Sequence, residues 1–259
     1  MDIIMDEKKE AEIVIKNNEI NMNKPSQTIQ LLIKYYYNVK HMNKEDIRKE
    51  IEKYMQNNYK GFNSTRWQKS LNDMVQRWAK DKYKLTNIHR IIITEKEFNI
   101  IQKLNDIDLE KLAFTLLVYV KTYNQINEYN NNWIRFKRNE ILKDAKISIK
   151  NKDIKEKTKL FNQLYEKKYI IFAKKIDNTS IQVQYINNIS SVKIEINKLE
   201  NFIGEYLKYK KGYCQICGKK IRSKSPKTKY CPRCAKEIER ANWAKRKRKQ
   251  RQKENNVTK

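Results

Sequence analysis

Four cysteines, the only ones in the chain, constrain its fold more than any other feature. They form two C-x-x-C pairs, Cys214 with Cys217 and Cys231 with Cys234, separated by thirteen residues. A C-x-x-C turn presents two sulfurs to one metal ion, and thirteen residues suffice for a hairpin that returns the second pair. Unrelated buried cysteines or disulfides would not need this spacing twice. The pattern predicts a four-thiolate Zn²⁺ site, and because little apolar material surrounds it, the metal would stabilise the local fold.

Positive charge is concentrated at the carboxyl end of the chain. The formal net charge is +28, and residues 208–259 hold 20 Lys and Arg against 3 Asp and Glu, whereas the first 24 residues are mildly acidic. A composition rich in Lys, Asn and Ile, as AT-rich coding produces, raises lysine without any binding role. That bias does not explain the local concentration, so we expect a polyanionic partner, with nucleic acid as the foremost candidate.

Several enzyme classes lack their signatures. The four glycines form neither a G-x-G-x-x-G loop nor a Walker A loop. A treble-clef nuclease of the HNH type needs a histidine beside its metal module, but residues 208–259 contain none; His41 and His89 lie far away in sequence. Redox chemistry at C-x-x-C would need one pair and a flanking β-α-β pattern. Acidic residues show no spacing that predicts a metal-dependent nuclease, so we predict a protein without enzymatic activity.

The sequence predicts a cytoplasmic location in a bacterial host cell. The amino-terminal residues lack a basic segment followed by an apolar one, so they do not resemble a signal peptide. The longest apolar stretch, near Leu112 to Val120, is too short to span a bilayer. Paired thiols held by a metal fit a reducing compartment.

The amino-terminal part divides into a tail and a helical domain. Residues 1–24 are weakly patterned: Ala11 to Ile15 could form a short strand, and we favour disorder. Residues 25–84 predict three helices. The first covers Gln27 to Val39, the second follows a capping Asn43, and the third begins near Thr65. The stripe of the third helix includes Trp67 and Trp78, which we assign to a core and not to base stacking.

The middle of the chain, residues 85–207, alternates helices with short strands. Thr94 and Glu97 predict a capping box for a helix near 95–104. A buried helix follows, with Leu109, Leu112, Ala113, Leu116, Leu117 and Val120 inward. The further predicted elements are a strand at 133–136, helices at 138–144 and 153–168 (burying Ile154, Phe161, Leu164 and Tyr165), strands at 169–173 and 181–185, and a third strand at 192–196. The predicted fold class is mostly α with small β hairpins.

The order helix, short strand, helix, turn, helix and two-stranded hairpin resembles a winged helix-turn-helix over residues 108–188. Such modules occur in bacterial and phage DNA-binding proteins, including replication-initiation proteins. The resemblance implies that the helix 153–168 is a recognition helix in the major groove and that the turn after Lys174 is the wing. Lysines there would contact phosphates and an asparagine could read a base edge; the alternative is that they only solubilise the helix. The implied contacts are Lys152, Lys155, Lys159, Asn162, Lys174 and Lys175.

The carboxyl-terminal part combines the cysteine module, residues 208–244, with a basic tail, residues 245–259. A helix precedes it, and Gly212 is predicted as its C-terminal cap; the predicted apolar residues of this helix are Leu199, Phe202, Ile203, Tyr206 and Leu207. Residues 219–221 are predicted to pair with 227–230, and the second cysteine pair opens a long helix. This order resembles a treble-clef finger, as found with basic tails in small phage and mobile-element proteins. The candidate nucleic-acid contacts are Arg222, Arg233, Lys245, Arg246, Lys247, Arg248, Lys249 and Arg251.

Three functions are consistent with these patterns. The favoured one is a double-stranded DNA-binding protein that acts in phage or mobile-element replication or regulation. A second is an inhibitor that docks on a host nucleoprotein defence complex, in the manner of an anti-CRISPR protein. A third is an RNA-binding accessory protein. The target sequence and the oligomeric state do not follow from the sequence.

Overall fold

The structure, a computed structural model, describes residues 3–135, 137–147, 154–174, 179–221 and 228–257, and only the backbone of residues 154 and 248–257. The chain divides into two compact units, Asp2–His89 and Arg90–Lys259. The fold is mostly helical with small antiparallel sheets, as the sequence predicts. The second unit contains both the segment that resembles a winged helix and the cysteine module.

The first unit is a helical bundle around one apolar core. Asn43 caps the second predicted helix by accepting a hydrogen bond from the Asp46 N–H at 2.9 Å. Trp67 and Trp78 pack against the core, as predicted. The helices are α1 (Glu7–Asn17), α2 (Pro25–Asn38), α3 (Lys44–Asn58) and α4 (Ser64–Trp78).

Helix α1 corrects the prediction of disorder or a short strand for the amino-terminal residues. Asp6 caps it by accepting a hydrogen bond from the Lys9 N–H at 2.9 Å, while Ala11 and Val14 are buried. Glu7 in its first turn forms an ion pair with the buried ammonium group of Lys34 on α2. The sequence conceals this helix because its stability depends on the surface that α2 offers.

A two-stranded antiparallel sheet opens the second unit. Strand β1 (Ile91–Thr94), which we did not predict, pairs with β5 (Val192–Ile196). The expectation that 192–196 extends the hairpin as its third strand was therefore wrong. The predicted capping box is confirmed: Thr94 and Glu97 exchange backbone and side-chain hydrogen bonds at the start of α5 (Glu95–Gln102).

Helix α6 (Ile107–Ile126) is the centre of the second unit. Every residue from Leu109 to Thr122 is buried, which confirms the predicted core helix. Of the described helices, none is both long and apolar enough to cross a membrane. Around α6 lie β2 (Trp133–Ile134), α7 (Arg138–Asp144), α8 (Ile154–Glu166), β3 (Ile170–Phe172) and β4 (Ile181–Val183), and the strands form an antiparallel sheet in the order β2-β4-β3.

Two helices flank the cysteine module. Helix α9 (Ile203–Leu207) precedes it, and α10 (Pro232–Val257) follows it. Gly212 does not cap α9, as we had predicted, because the C-cap is Lys208. Gly212 instead has φ +81° in the turn beyond the helix, a conformation that favours glycine.

Candidate metal centre and basic surface

The first cysteine pair lies in a tight hairpin. The Cys214 N–H donates to the Lys219 carbonyl at 2.8 Å, and the Ile221 N–H donates to the Gly212 carbonyl at 2.7 Å. Gly218 closes the turn at φ +70°, where a side chain would be strained. Residues 219–221 therefore pair with 212–214 and not, as predicted, with the described residues 228–230; Lys227 lies outside the described residues. The turn that holds the two sulfurs is itself the turn of the hairpin.

The second cysteine pair begins helix α10. Cys231 stands directly before Pro232, whose fixed φ and missing N–H suit the first helical position. The Ala235 N–H donates to the Cys231 carbonyl at 2.9 Å, and this bond places Cys234 in the first turn. The Gln215 N–H donates to the Lys229 carbonyl at 3.1 Å and joins the two halves of the module.

The fold brings the four sulfurs together. All four Sγ atoms lie within 4.8 Å of one another, and Sγ of Cys217 is 3.7 Å from Sγ of Cys231. Sulfurs at 2.3 Å from a tetrahedral ion would be about 3.8 Å apart. A disulfide would need about 2.05 Å. The cluster can therefore hold one metal ion, as the spacing predicts.

The electrostatics of the cluster also favour a cation. Burial raises the pKa of the Cys214 thiol, but the N–H groups of Cys217, Cys231 and Ile216 donate to its sulfur and outweigh burial, so the pKa falls to about 7. Burial raises the pKa of Cys217, and burial together with the neighbouring thiols raises that of Cys234 well above its usual range. Four thiols packed so closely do not ionise together unless a cation offsets the charge.

A buried lysine on α6 contacts the cysteine module. Lys111 on α6 is 3% exposed, and its Nζ contacts Asp108 Oδ1 at 2.6 Å and the Lys146 carbonyl at 3.2 Å. A Cβ built on Gly218 would lie 3.4 Å from the same Nζ. We did not identify Lys111 from the sequence, although a charged residue within an apolar helix was the available signal.

A second buried contact joins α9 to α6. The Tyr206 hydroxyl donates to Glu110 Oε2 at 2.7 Å, and Lys210 Nζ lies 2.6 Å from the same oxygen. The segment that leads into the cysteine module is therefore fixed to the central helix. Together with Lys111, this contact attaches the module to the core of the second unit.

The predicted contacts on α8 share its exposed face. Lys155, Lys159 and Asn162 are exposed and line one shallow groove. Tyr165 is 50% exposed and stacks on Phe172 at 5.3 Å between ring centroids, so its prediction as a core residue was wrong. Phe161 and Leu164 are buried as predicted. Lys174 is exposed, whereas Lys152 and Lys175 lie outside the described residues.

The predicted contacts on α10 lie along a helix whose described side chains beyond Cys234 are mostly exposed. Arg233 is exposed and pairs with Glu237 at 3.0 Å. Lys245, Arg246 and Lys247 are exposed, and Lys247 Nζ lies 4.8 Å from the ring centroid of Trp243. The backbone is helical at Arg248, Lys249 and Arg251, whose side chains lie outside the description, as does all of Arg222.

Comparisons with protein-family models, with curated proteins and with solved structures return no match for this chain. The functional interpretation therefore depends on the residues and their geometry. The resemblances to a winged helix and to a treble-clef finger stay predictions.

Proposed function

We propose that the protein is a non-enzymatic nucleic-acid-binding protein that binds double-stranded DNA through its second unit. The observation that carries the proposal is helix α10. All of residues 235–247 are described, and every one except the half-buried Ile238 is exposed. The whole helix holds ten Lys and Arg against three Glu. The helix is about 39 Å long, and in its described part, residues 235–247, it is polar and packs on little, so it needs a partner; these cations suit a phosphate chain.

The distribution of charge supports the second unit as the binding unit. Residues 2–89 contain 17 Lys and Arg against 12 Asp and Glu, whereas residues 90–259 contain 41 against 18. A compositional bias toward lysine would raise both units alike. The excess of positive charge is instead concentrated in α10 and the cysteine module, where it would attract a polyanion and raise the rate of association.

Zinc is the metal that we propose for the cysteine cluster. Four thiolates at one tetrahedral site are the usual structural ligand set for Zn²⁺, and no position is left open for a reacting water. The bound ion would fix the hairpin of the first pair to the first turn of α10. Its role is therefore structural: it orients the cationic helix.

The arrangement of elements around α8 supports the winged-helix hypothesis. The short strand β2 joins the β3–β4 hairpin as the third strand, on the far side of β4 from β3. In the modules that this order resembles, a helix in the position of α8 enters the major groove. Its exposed Lys155 and Lys159 would contact phosphates and Asn162 a base edge, in the manner of replication-initiation proteins and regulators.

Fluorescence anisotropy with a labelled duplex tests the proposal. A protein with 6–10 phosphate contacts loses about 10³–10⁵ in affinity between 50 and 200 mM salt. The double variant Arg246→Gln/Arg248→Gln should bind less tightly and lower the slope of log Kd against log salt by about 1.8, at 0.9 per lost contact. The matched variant Arg66→Gln/Arg77→Gln on α4 should behave as the wild type.

Three outcomes would contradict parts of this proposal. Tighter binding of a structured RNA of equal length would replace DNA as the ligand. Equal affinity for every duplex in a sequence panel would remove sequence reading by α8. Elemental analysis that finds the purified, folded protein without about one zinc per chain would remove the assigned metal.

A further inference from the structure

A cleft of about 440 Å³ opens between the carboxyl end of α7 and the cysteine module. Lys143 and Lys146 contribute cations from one side, and Lys219 and Arg233 contribute cations from the other. Among the described residues that line it, Glu237 alone is acidic, and it already pairs with Arg233. The sequence did not single out Lys143, Lys146 or Lys219, because they converge only in the folded chain.

The open edge of the metal cluster faces the same cleft. Cys217, Cys231 and Cys234 line the cleft, and Cys217 is half-buried. Ile147 and Ile216 provide apolar wall between the cations. A molecule bound in this cleft would therefore cover the side of the cluster on which Cys217 lies.

The cleft holds more positive charge than is needed to neutralise the metal cluster. Four thiolates around a divalent ion keep two negative charges, which two of the four cations offset, while Glu237 offsets a third. Lys236 and Arg240 add two cations, because they line an adjoining groove on α10 that shares Arg233 and Glu237 with the cleft. The cations thus continue from the cleft along the helix.

The cleft is built on a fixed frame. The Lys111 ammonium group holds the carbonyl of Lys146 at 3.2 Å, and its side chain packs on Gly218 of the first cysteine turn. One buried residue therefore sets the position of both walls relative to α6. Little rearrangement is needed to bind a ligand, which favours affinity.

We propose that this cleft seats the phosphates of one nucleic-acid strand directly over the exposed edge of the metal cluster. The inference rests on the proposed function and adds to it a location and a consequence. A bound strand covers the side of the cluster on which Cys217 lies, so it protects the metal from a chelator. Because coupling between two sites is reciprocal, loss of the metal also weakens the strand's binding.

The test uses the full zinc-loaded chain and the variant Lys143→Gln/Lys146→Gln/Lys219→Gln. Stopped-flow chelation with a zinc-responsive dye measures metal release with and without a saturating duplex. Duplex should slow release from the wild type by about fivefold or more, the lower end of typical coupling between sites. In the variant this protection should be lost, and the salt slope of binding should fall by about 0.9 per lost phosphate contact.

The control is Lys8→Gln/Lys9→Gln/Lys16→Gln, which removes three exposed lysines from α1 in the first unit. It should keep both the protection and the salt slope. Zinc content and circular dichroism of each variant establish that the fold is intact. The proposal is overturned if the cleft variant behaves as this control, or if duplex leaves the release rate of the wild type unchanged.

Two competitors separate the possible anions. Inorganic phosphate at an equal phosphate concentration should protect the metal poorly. If it protects the metal as well as the duplex does, the ligand of the cleft is the free anion and not a nucleic-acid strand. Poly-glutamate at equal charge should also protect poorly, and protection equal to that of DNA would assign the cleft to an acidic protein. If the wild type binds no nucleic acid at all, the proposed function fails; if it binds but the cleft variant is normal, only this inference fails.

Discussion

The buried ammonium group of Lys111 donates a hydrogen bond to the backbone carbonyl of Lys146, 3.2 Å away. The contact joins the first turns of α6 to the turn that follows α7. It also places a charged group next to Gly218 in the first cysteine turn. The stability of the module is therefore tied to a residue that touches neither the metal nor a ligand.

Replacing Lys111 by methionine tests this connection. Lys111→Met keeps the stem of the side chain but removes the donor, so we expect a loss of about 1–3 kcal/mol, as for hydrogen bonds to charged groups. Urea unfolding of the zinc-loaded protein measures it. The control Lys49→Met removes an exposed partner of Glu45 on α3 and should change little. Equal effects of the two variants would contradict a supporting role for Lys111.

Removal of the metal should shorten α10. The helix is polar along most of its length, and the ion would fix the geometry of its first turn through Cys231 and Cys234. We expect chelation, or the variant Cys234→Ser, to lower the helical signal at 222 nm, and zinc to restore it in the wild type only. Ala241→Ser, at an exposed position of the same helix, should respond to zinc as the wild type does. An unchanged signal after complete chelation would oppose this coupling.

The second unit should lose stability above pH 10. Burial, and then the hydrogen bond to Glu110, raises the pKa of Tyr206 well above its usual value of 10. A pKa that is higher in the folded state gives stability that is complete below pH 10 and declines as the pH rises beyond it, by about 1.4 kcal/mol per pH unit for one proton.

Urea unfolding between pH 9 and 11.5 measures this dependence. Tyr206→Phe should reduce the slope of unfolding free energy against pH by the share of one proton. Glu110 keeps Lys210 as a partner in this variant. Tyr129→Phe, at a side chain that is 87% exposed, is the matched control and should keep the full slope. The same slope in both variants would exclude Tyr206 as a source of the alkaline loss.

Two substitutions on α8 should separate positioning from base reading. Asn162→Ala should flatten the preference at one base pair, by about 1–3 kcal/mol if the contact is bidentate. Lys159→Gln should weaken binding of all duplexes alike and lower the salt slope by about 0.9. Competition binding against a randomised duplex pool distinguishes the two results. Identical base preferences in both variants and the wild type would remove α8 from the reading surface.

Local signals predicted most helices and the metal site. The cap at Asn43 and the box of Thr94 with Glu97 depend on residues three apart, so the sequence contains all the information they need. The cysteine cluster was predictable for the same reason, because each pair depends on a fixed short spacing. Only the joining of the two pairs needed the fold.

Several errors arose where partners are distant in sequence. Strand 192–196 was predicted correctly as a strand but given the wrong partner, since its partner β1 lies about 100 residues earlier. Helix α1 and the exposure of Tyr165 depend on which surfaces neighbouring elements offer. The cleft beside the cysteines was missed because Lys143, Lys146 and Lys219 come from two segments that only the tertiary fold brings together.

The pairing of β1 with β5 also sets an order for folding during synthesis. The first unit ends at His89, so it can be complete while Ile91–Thr94 still waits for its partner. At 5–20 residues per second, the ribosome needs about 5–20 s to add the intervening residues. During that interval an apolar strand with unpaired backbone groups is exposed to other nascent chains, so pairing with the wrong chain is a hazard at β1.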